Sequence, residues 1–213
     1  MLSDVKLIIW DWNGTLLNDV SVCVEAMNEM LSERKLALLN ESVYRDVFTF
    51  PVKNYYQKLG FDFNSEPFEI PAMQFMDLYR VKILEAGLQE GAVALMKQMQ
   101  RSGFRQVILS AMEQELLLEL LDHFQIRNFF DFTYGIDNHF GGGKLERGLE
   151  LMRQMHVSPS ECLLIGDTEH DAEVASALGC RCLLFGGGHQ SEPVLQATGN
   201  RIIHQYSDLL ACF

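Results

Sequence analysis

The sequence predicts an α/β fold in three layers, a parallel sheet between helices, with a helical segment inserted after the first strand. Three observations carry this. Short apolar runs rich in β-formers alternate with helical patterns, residues 16–87 break that alternation, and the runs end in carboxylates, a hydroxyl or glycines. Strands alternating with helices imply parallel βαβ units, so the core is read as a doubly wound, Rossmann-like sheet.

Residues 5–10 form the first run, followed by 106–109, 162–165 and 180–185, with a weaker one at 130–134. Each is continuously apolar, as expected of strands buried on both faces. Helical patterns lie between them at 113–124, 145–155 and 172–178, the last closed by Gly179 as a C-cap. Within 16–87 no good strand is seen. Val22, Ala26, Met27, Met30 and Leu31 have helical spacing, Pro51 suits a helix N1 position, Gly60 suits a helix stop, and 68–84 is again helical in pattern. The division is therefore a core of 1–15 and 88–213 and a helical cap of 16–87, joined by two linkers. The methionines at 27, 30, 73, 76, 96 and 99 read as core or cap-interface filling.

Seventeen basic residues against twenty-nine acidic ones give a net charge of -12, which would repel nucleic acid or an anionic membrane. An anionic substrate then needs a local arrangement of cation, Lys and backbone N–H groups. The N-terminus lacks the basic start of a secretory signal, and no run approaches a membrane span. The five cysteines, 23, 162, 180, 182 and 212, read as reduced core thiols of a cytoplasmic protein. The oligomeric state has no signal in the sequence.

The first strand ends in Asp11-Trp12-Asn13-Gly14-Thr15, which puts a carboxylate at a strand tip beside a glycine that permits a sharp turn. The strand at 106–109 ends in Ser110, and the strand at 162–165 ends in Gly166-Asp167, with Asp171 one helical turn on. In doubly wound sheets ligands bind beyond these carboxyl ends. Asp11, Asp167 and Asp171 offer hard oxygens suited to Mg2+. Lys144 follows Gly141-Gly142-Gly143, a loop able to bring its ammonium to a phosphate and to Asp11. Metal, hydroxyl and Lys are the parts that stabilise a transferring phosphoryl group. Each residue alone can equally be a helix cap or a solvated side chain; the joint pattern carries the reading.

These residues, in this order, resemble the motifs of the haloacid dehalogenase superfamily, and within it the phosphoglycolate phosphatase-like branch, whose helical cap follows the first motif. The resemblance implies that Asp11 attacks phosphorus to give an aspartyl-phosphate that water hydrolyses. It implies Mg2+ held by Asp11, the Asn13 main-chain carbonyl and Asp167, with Asp171 as ligand or neighbour, and a phosphoryl group bound by Ser110 and Lys144. The expected substrate is a small phosphorylated metabolite.

Asn13 departs from the family pattern, which has a second Asp there to protonate the leaving group. An amide cannot exchange a proton in that way, and loss of general acid–base catalysis costs about 10²- to 10⁴-fold. Alternatives follow from this: a phosphonate-cleaving relative with Lys53 or Lys58 as Schiff-base lysine, a mutase, or a low-turnover phosphate-binding regulatory protein. Arg45, Lys53, Tyr55, Tyr56 and Arg80 are cap residues with no assigned role; His170, beside Asp167, reads as a surface residue and Trp12 as packing. The segment Gly186-Gly187-Gly188-His189-Gln190-Ser191 lies at the active edge ahead of a helix; its backbone N–H groups could contact an anion, with a plain turn as the favoured reading.

Overall fold

A computed structural model of the chain describes residues 4–136 and 143–210. Gly141, Gly142 and Cys212 lie outside them. Six parallel strands form the main sheet: β1 (Leu7–Trp10), β4 (Arg105–Glu113), β5 (Phe132–Ile136), β6 (Cys162–Gly166), β7 (Arg181–Phe185) and β8 (Arg201–Ile203), in the order β5-β4-β1-β6-β7-β8. Helices α5 (Ala92–Arg101), α6 (Gln114–His123), α7 (Lys144–Met155), α8 (Glu169–Leu178), α9 (Glu192–Ala197) and α10 (Ser207–Leu210) connect or flank them.

The continuous apolar runs find their explanation in the two faces of the sheet. Ile8, Trp10, Ile108 and Ile165 pack with Leu95 and Met99 of α5 and Leu117 and Leu121 of α6. Leu7, Ile9, Val107, Leu109 and Leu164 pack on the other side with Leu151 and Met155 of α7 and Val174 and Leu178 of α8. Successive residues therefore alternate faces while all being buried, each large aliphatic side chain contributing about 1.5–3 kcal/mol.

Between β2 (Leu17–Asn18) and β3 (Gly87–Leu88) run four helices, α1 (Val20–Glu33), α2 (Glu41–Val47), α3 (Val52–Lys58) and α4 (Glu69–Lys82), the last followed by a 3-10 turn at Ile83–Glu85. All five residues with helical spacing in α1 are buried.

Several local expectations need correction. β2 and β3 pair antiparallel at the base of the helical segment, where no strand is expected; two residues each are too few to show a period. β8 is missed because three residues beginning with an exposed Arg201 give no apolar run. β4 does not stop at Ser110 but continues to Glu113 through a register irregularity after Leu109. Pro51 is the N-cap of α3 rather than its first residue, its ψ of 145° being extended. Met73 is exposed, on the outer side of α4, rather than filling an interface. Among the described residues no helix is long and apolar enough to cross a membrane.

Candidate active site

Asp11 immediately follows β1 and extends its pairing, donating its N–H to Ile165 at 2.9 Å. The chain then turns at Gly14, whose φ of +70° is open to glycine. A Cβ on Gly14 would lie 2.2 Å from Asp167 Oδ2, and one on Gly188 2.1 Å from the same atom. Two glycines thus let two loops close around one carboxylate. The Thr15 hydroxyl stands 3.2 Å from Asp11 Oδ2 and 3.0 Å from Asp167 Oδ1, bridging carboxylates that are distant in sequence.

Lys144 opens α7 directly after Gly143, which adopts a φ of +102°. Its ammonium is buried and bonds Asp11 Oδ1 and Asp171 Oδ1, both at 2.5 Å. The other oxygen of Asp171 accepts from the Thr168 hydroxyl at 2.6 Å, the Thr168 N–H at 3.0 Å and the Asp167 N–H at 3.2 Å. Asp171 therefore caps α8 and holds Lys144 with the same carboxylate. Ligand oxygens of Asp11, Asp167 and Asp171 lie within 4.8 Å of one another.

A second buried group adjoins the first. Asp19, just ahead of α1, accepts from Gly14 N–H at 2.9 Å and from Asn13 Nδ2 and the Tyr79 hydroxyl, both at 2.7 Å. His189 sits 3.2 Å from Asp19 through Nε2 and 2.8 Å from the Tyr44 hydroxyl through Nδ1, and its main-chain N–H donates to Asp167 at 2.6 Å. The 186–191 segment is thus no plain turn: its backbone binds a carboxylate. Sequence reasoning missed Thr15, Asp19 and His189 as site residues; the visible signals were the place of Thr15 in the first motif and of His189 after three glycines.

The protonation pattern divides the carboxylates into two pairs. Burial penalises all four, yet His189, Tyr79 and Asn13 outweigh it at Asp19, and Lys144 with Thr168 outweighs it at Asp171, so both are held below the usual carboxylate range. At Asp11 and Asp167 burial prevails over Lys144 and His189 respectively, and both are raised. Burial works against the charged His189 ring, but Asp19 beside it pushes it up to about 9. Lys144 is raised despite burial by Asp11 and Asp171. Four carboxylates then face two cations, and the deficit falls on Asp11 and Asp167. That deficit and the all-oxygen donor set fit a hard divalent cation.

Asp19, Cys23 and His189 also come within ligand range of one another. Both ring nitrogens of His189 are engaged, however, and burial pushes the Cys23 thiol well up, away from the thiolate a metal needs.

Ser110 is fully buried in β4, its oxygen accepting the Met112 N–H at 3.0 Å. No described hydrogen bond links it to Asp11 or Lys144. Beside it Ala111, Met112 and Glu113 form one wall of a cavity of about 180 Å³ over Asp11, roofed by residues of the helical segment. Of the five residues of the helical segment singled out in the sequence, Tyr55 and Tyr56 line it. Arg45 instead donates to the Gly188 carbonyl at 2.9 Å, Lys53 lies over the Phe63 ring, and Arg80 pairs with Glu113. His170 lines the cavity, its ring 4.7 Å from that of Phe50. Trp12 is fully buried against Phe124, as packing.

The sequence profile of the haloacid dehalogenase-like hydrolases matches residues 8–185. Phosphoglycolate phosphatase 1 of Pseudomonas aeruginosa is 22% identical over 217 residues, covering 97% of this chain and 79% of that protein. Tyrosine-protein kinase PtkA of Mycobacterium tuberculosis is 19% identical over 204 residues, covering 93% and 68%. A solved haloacid dehalogenase-like hydrolase from Streptococcus pneumoniae shares the fold with a TM-score of 0.82, at 20% identity over 99% of both chains. The chain belongs to the haloacid dehalogenase-like hydrolase family.

Proposed function

We propose that the chain is a Mg2+-dependent phosphatase that hydrolyses a small phosphomonoester, with Asp11 as the nucleophile. The observation that carries this reading is the pinning of Asp11 by Lys144 at the tip of β1, beside Asp167 and against an open cavity. The phosphatase relatives support it. Residues 16–87 are read as a cap over a core of 1–15 and 88–213.

An Asp11 carboxylate oxygen would bond to phosphorus as the ester P–O bond breaks, and the leaving oxyanion would take a proton from solvent. Water would then cleave the aspartyl-phosphate, releasing inorganic phosphate and a proton and restoring the carboxylate. Mg2+ would be held by Asp11, the Asn13 main-chain carbonyl and Asp167, and when bound would offset the two uncompensated charges and those of the phosphoryl oxygens. Lys144 orients Asp11 and meets the phosphoryl group; Asp171 orients Lys144 rather than binding the ion. Ser110 would donate its O–H to a phosphoryl oxygen, as the resemblance implies, from a buried position next to the cavity wall.

The test is hydrolysis of an activated aryl phosphate with and without Mg2+. Mg2+-dependent turnover that disappears in Asp11→Asn supports the reading. Asn13 favours a second one, a phosphate-binding protein of low turnover; saturable binding of inorganic phosphate without hydrolysis of any ester would select it.

A further inference from the structure

We infer that the substrate is an aryl phosphomonoester, a single aromatic ring carrying the phosphate on a phenolic oxygen. This rests on the phosphatase reading above and adds its substrate class.

The cavity beyond Asp11 is walled by aromatic and aliphatic side chains, among them Phe48, Phe50, Tyr55, Phe75 and Met76. The rings meet edge to face, Phe48 with Phe50 at 5.5 Å and with Tyr55 at 5.3 Å, which leaves flat faces and edges for another ring. The 180 Å³ spans the whole space from Asp11, Lys144 and Asp167 to these rings, so it holds the phosphate as well as the group attached to it. Phe48, Phe50, Phe75 and Met76 remain only partly buried, so this is a lined space and not a closed cap core.

Among the described residues lining the cavity, a second anionic group on the substrate finds no uncommitted Lys or Arg. Among the described lining residues Lys144 is the one Lys or Arg, and it is already shared by Asp11 and Asp171. Both ring nitrogens of His189 are engaged, the His170 Nδ1 faces Glu173 at 3.4 Å, and the Glu113 carboxylate on the wall already takes up Arg80. A carboxylate such as that of phosphoglycolate would be buried unpaired against like charge, which is costly. The polyol of a sugar would likewise lose its hydrogen bonds to water against these rings. Tyr55 offers one polar contact: its hydroxyl is buried with no hydrogen-bond partner among the described residues.

Asn13 points the same way independently. With no acid at that position, the leaving group must depart as an anion, and a phenol, titrating near ~10, does so far more readily than an alcohol. The apolar wall and the missing acid thus select the same chemistry.

The experiment compares phenyl phosphate, phosphoglycolate, glycerol phosphate and acetyl phosphate as substrates with Mg2+. In parallel, phenylphosphonate and phosphonoacetate, which are not hydrolysed, are titrated into the wild-type protein. The expected result is a kcat/KM for phenyl phosphate about 100-fold or more above those of phosphoglycolate and glycerol phosphate, with phenylphosphonate binding more tightly than phosphonoacetate. Mg2+-dependent turnover with phosphoglycolate or glycerol phosphate equal or better, or phosphonoacetate binding as tightly, overturns the aryl assignment and leaves the phosphatase reading standing. If nothing turns over, acetyl phosphate included, while phenylphosphonate is still preferred, the phosphatase reading falls and the aryl specificity survives. No turnover and no preference removes both.

Discussion

Asn13 donates its amide N–H to Asp19 Oδ2 at 2.7 Å. Position 13 therefore faces a buried carboxylate already held in its ionised form by His189 and Tyr79. In Asn13→Asp the new carboxyl would meet that negative charge and retain its proton near neutral pH, the state a general acid requires. The substitution should raise turnover of alkyl phosphates by up to about 10²- to 10⁴-fold and of aryl phosphates much less. A series of esters of graded leaving-group pKa checks this, through a weaker dependence on leaving group in the variant. An unchanged dependence would show that position 13 cannot be reached by the leaving oxygen.

Lys144 is buried between Asp11 and Asp171. Lys144→Met would leave two carboxylates facing each other without their cation and should destabilise the metal-free protein by about 3–5 kcal/mol at neutral pH. Lys144→Arg should not restore stability, because a planar fork cannot replace a compact ammonium between two oxygens 2.5 Å away. Urea unfolding in the presence of a chelator measures both.

Burial works against the charged His189 ring, but the charge and hydrogen bond of Asp19 outweigh it and place the His189 pKa at about 9 in the folded protein, above the unfolded value of about 6.5. A raised pKa means that the folded state binds the proton more tightly. The resulting stability is fully present below about pH 6.5 and is lost as pH rises through 9. Melting temperatures of the metal-free protein should fall across that window, and His189→Gln should flatten the fall. Equal slopes in the two proteins would exclude His189 as its source.

Mg2+ should stabilise the fold, because Asp11 and Asp167 carry the uncompensated charge; at 100-fold saturation the gain is about 2.7 kcal/mol. Gly188→Ala should abolish most of that gain, since its Cβ would sit 2.1 Å from Asp167 Oδ2 and displace the carboxylate. Gly87→Ala, where a Cβ meets nothing within 4 Å, should retain it. Thermal shifts against Mg2+ concentration distinguish the two.

The sequence made the sheet legible where burial on both faces turned strands such as 162–165 into unbroken apolar runs. It left β2, β3 and β8 invisible because two or three residues carry no period. Asp11, Lys144, Asp167 and Asp171 could be picked out because each ends or follows a recognisable element; the structure brings these four together. Asp19 and His189 were hidden for a different reason. Their meaning lies in a contact across 170 positions between a helix start and a loop, and neither end shows it alone.

The two chain crossings into the helical segment are themselves joined, Leu17 to Leu88 and Asn18 to Gly87, and the Gln89 N–H reaches the Leu16 carbonyl at 2.9 Å. Two strands bonded side by side act as a single hinge pin, where two separate tethers would allow sliding and twist. Were the four helices to move as a cap, this pairing would confine the movement to essentially one direction. Asp19 lies next to that pin, while Tyr44 and Arg45, farther out, hold His189 and the Gly188 carbonyl and so tie the helical segment to the loop after β7.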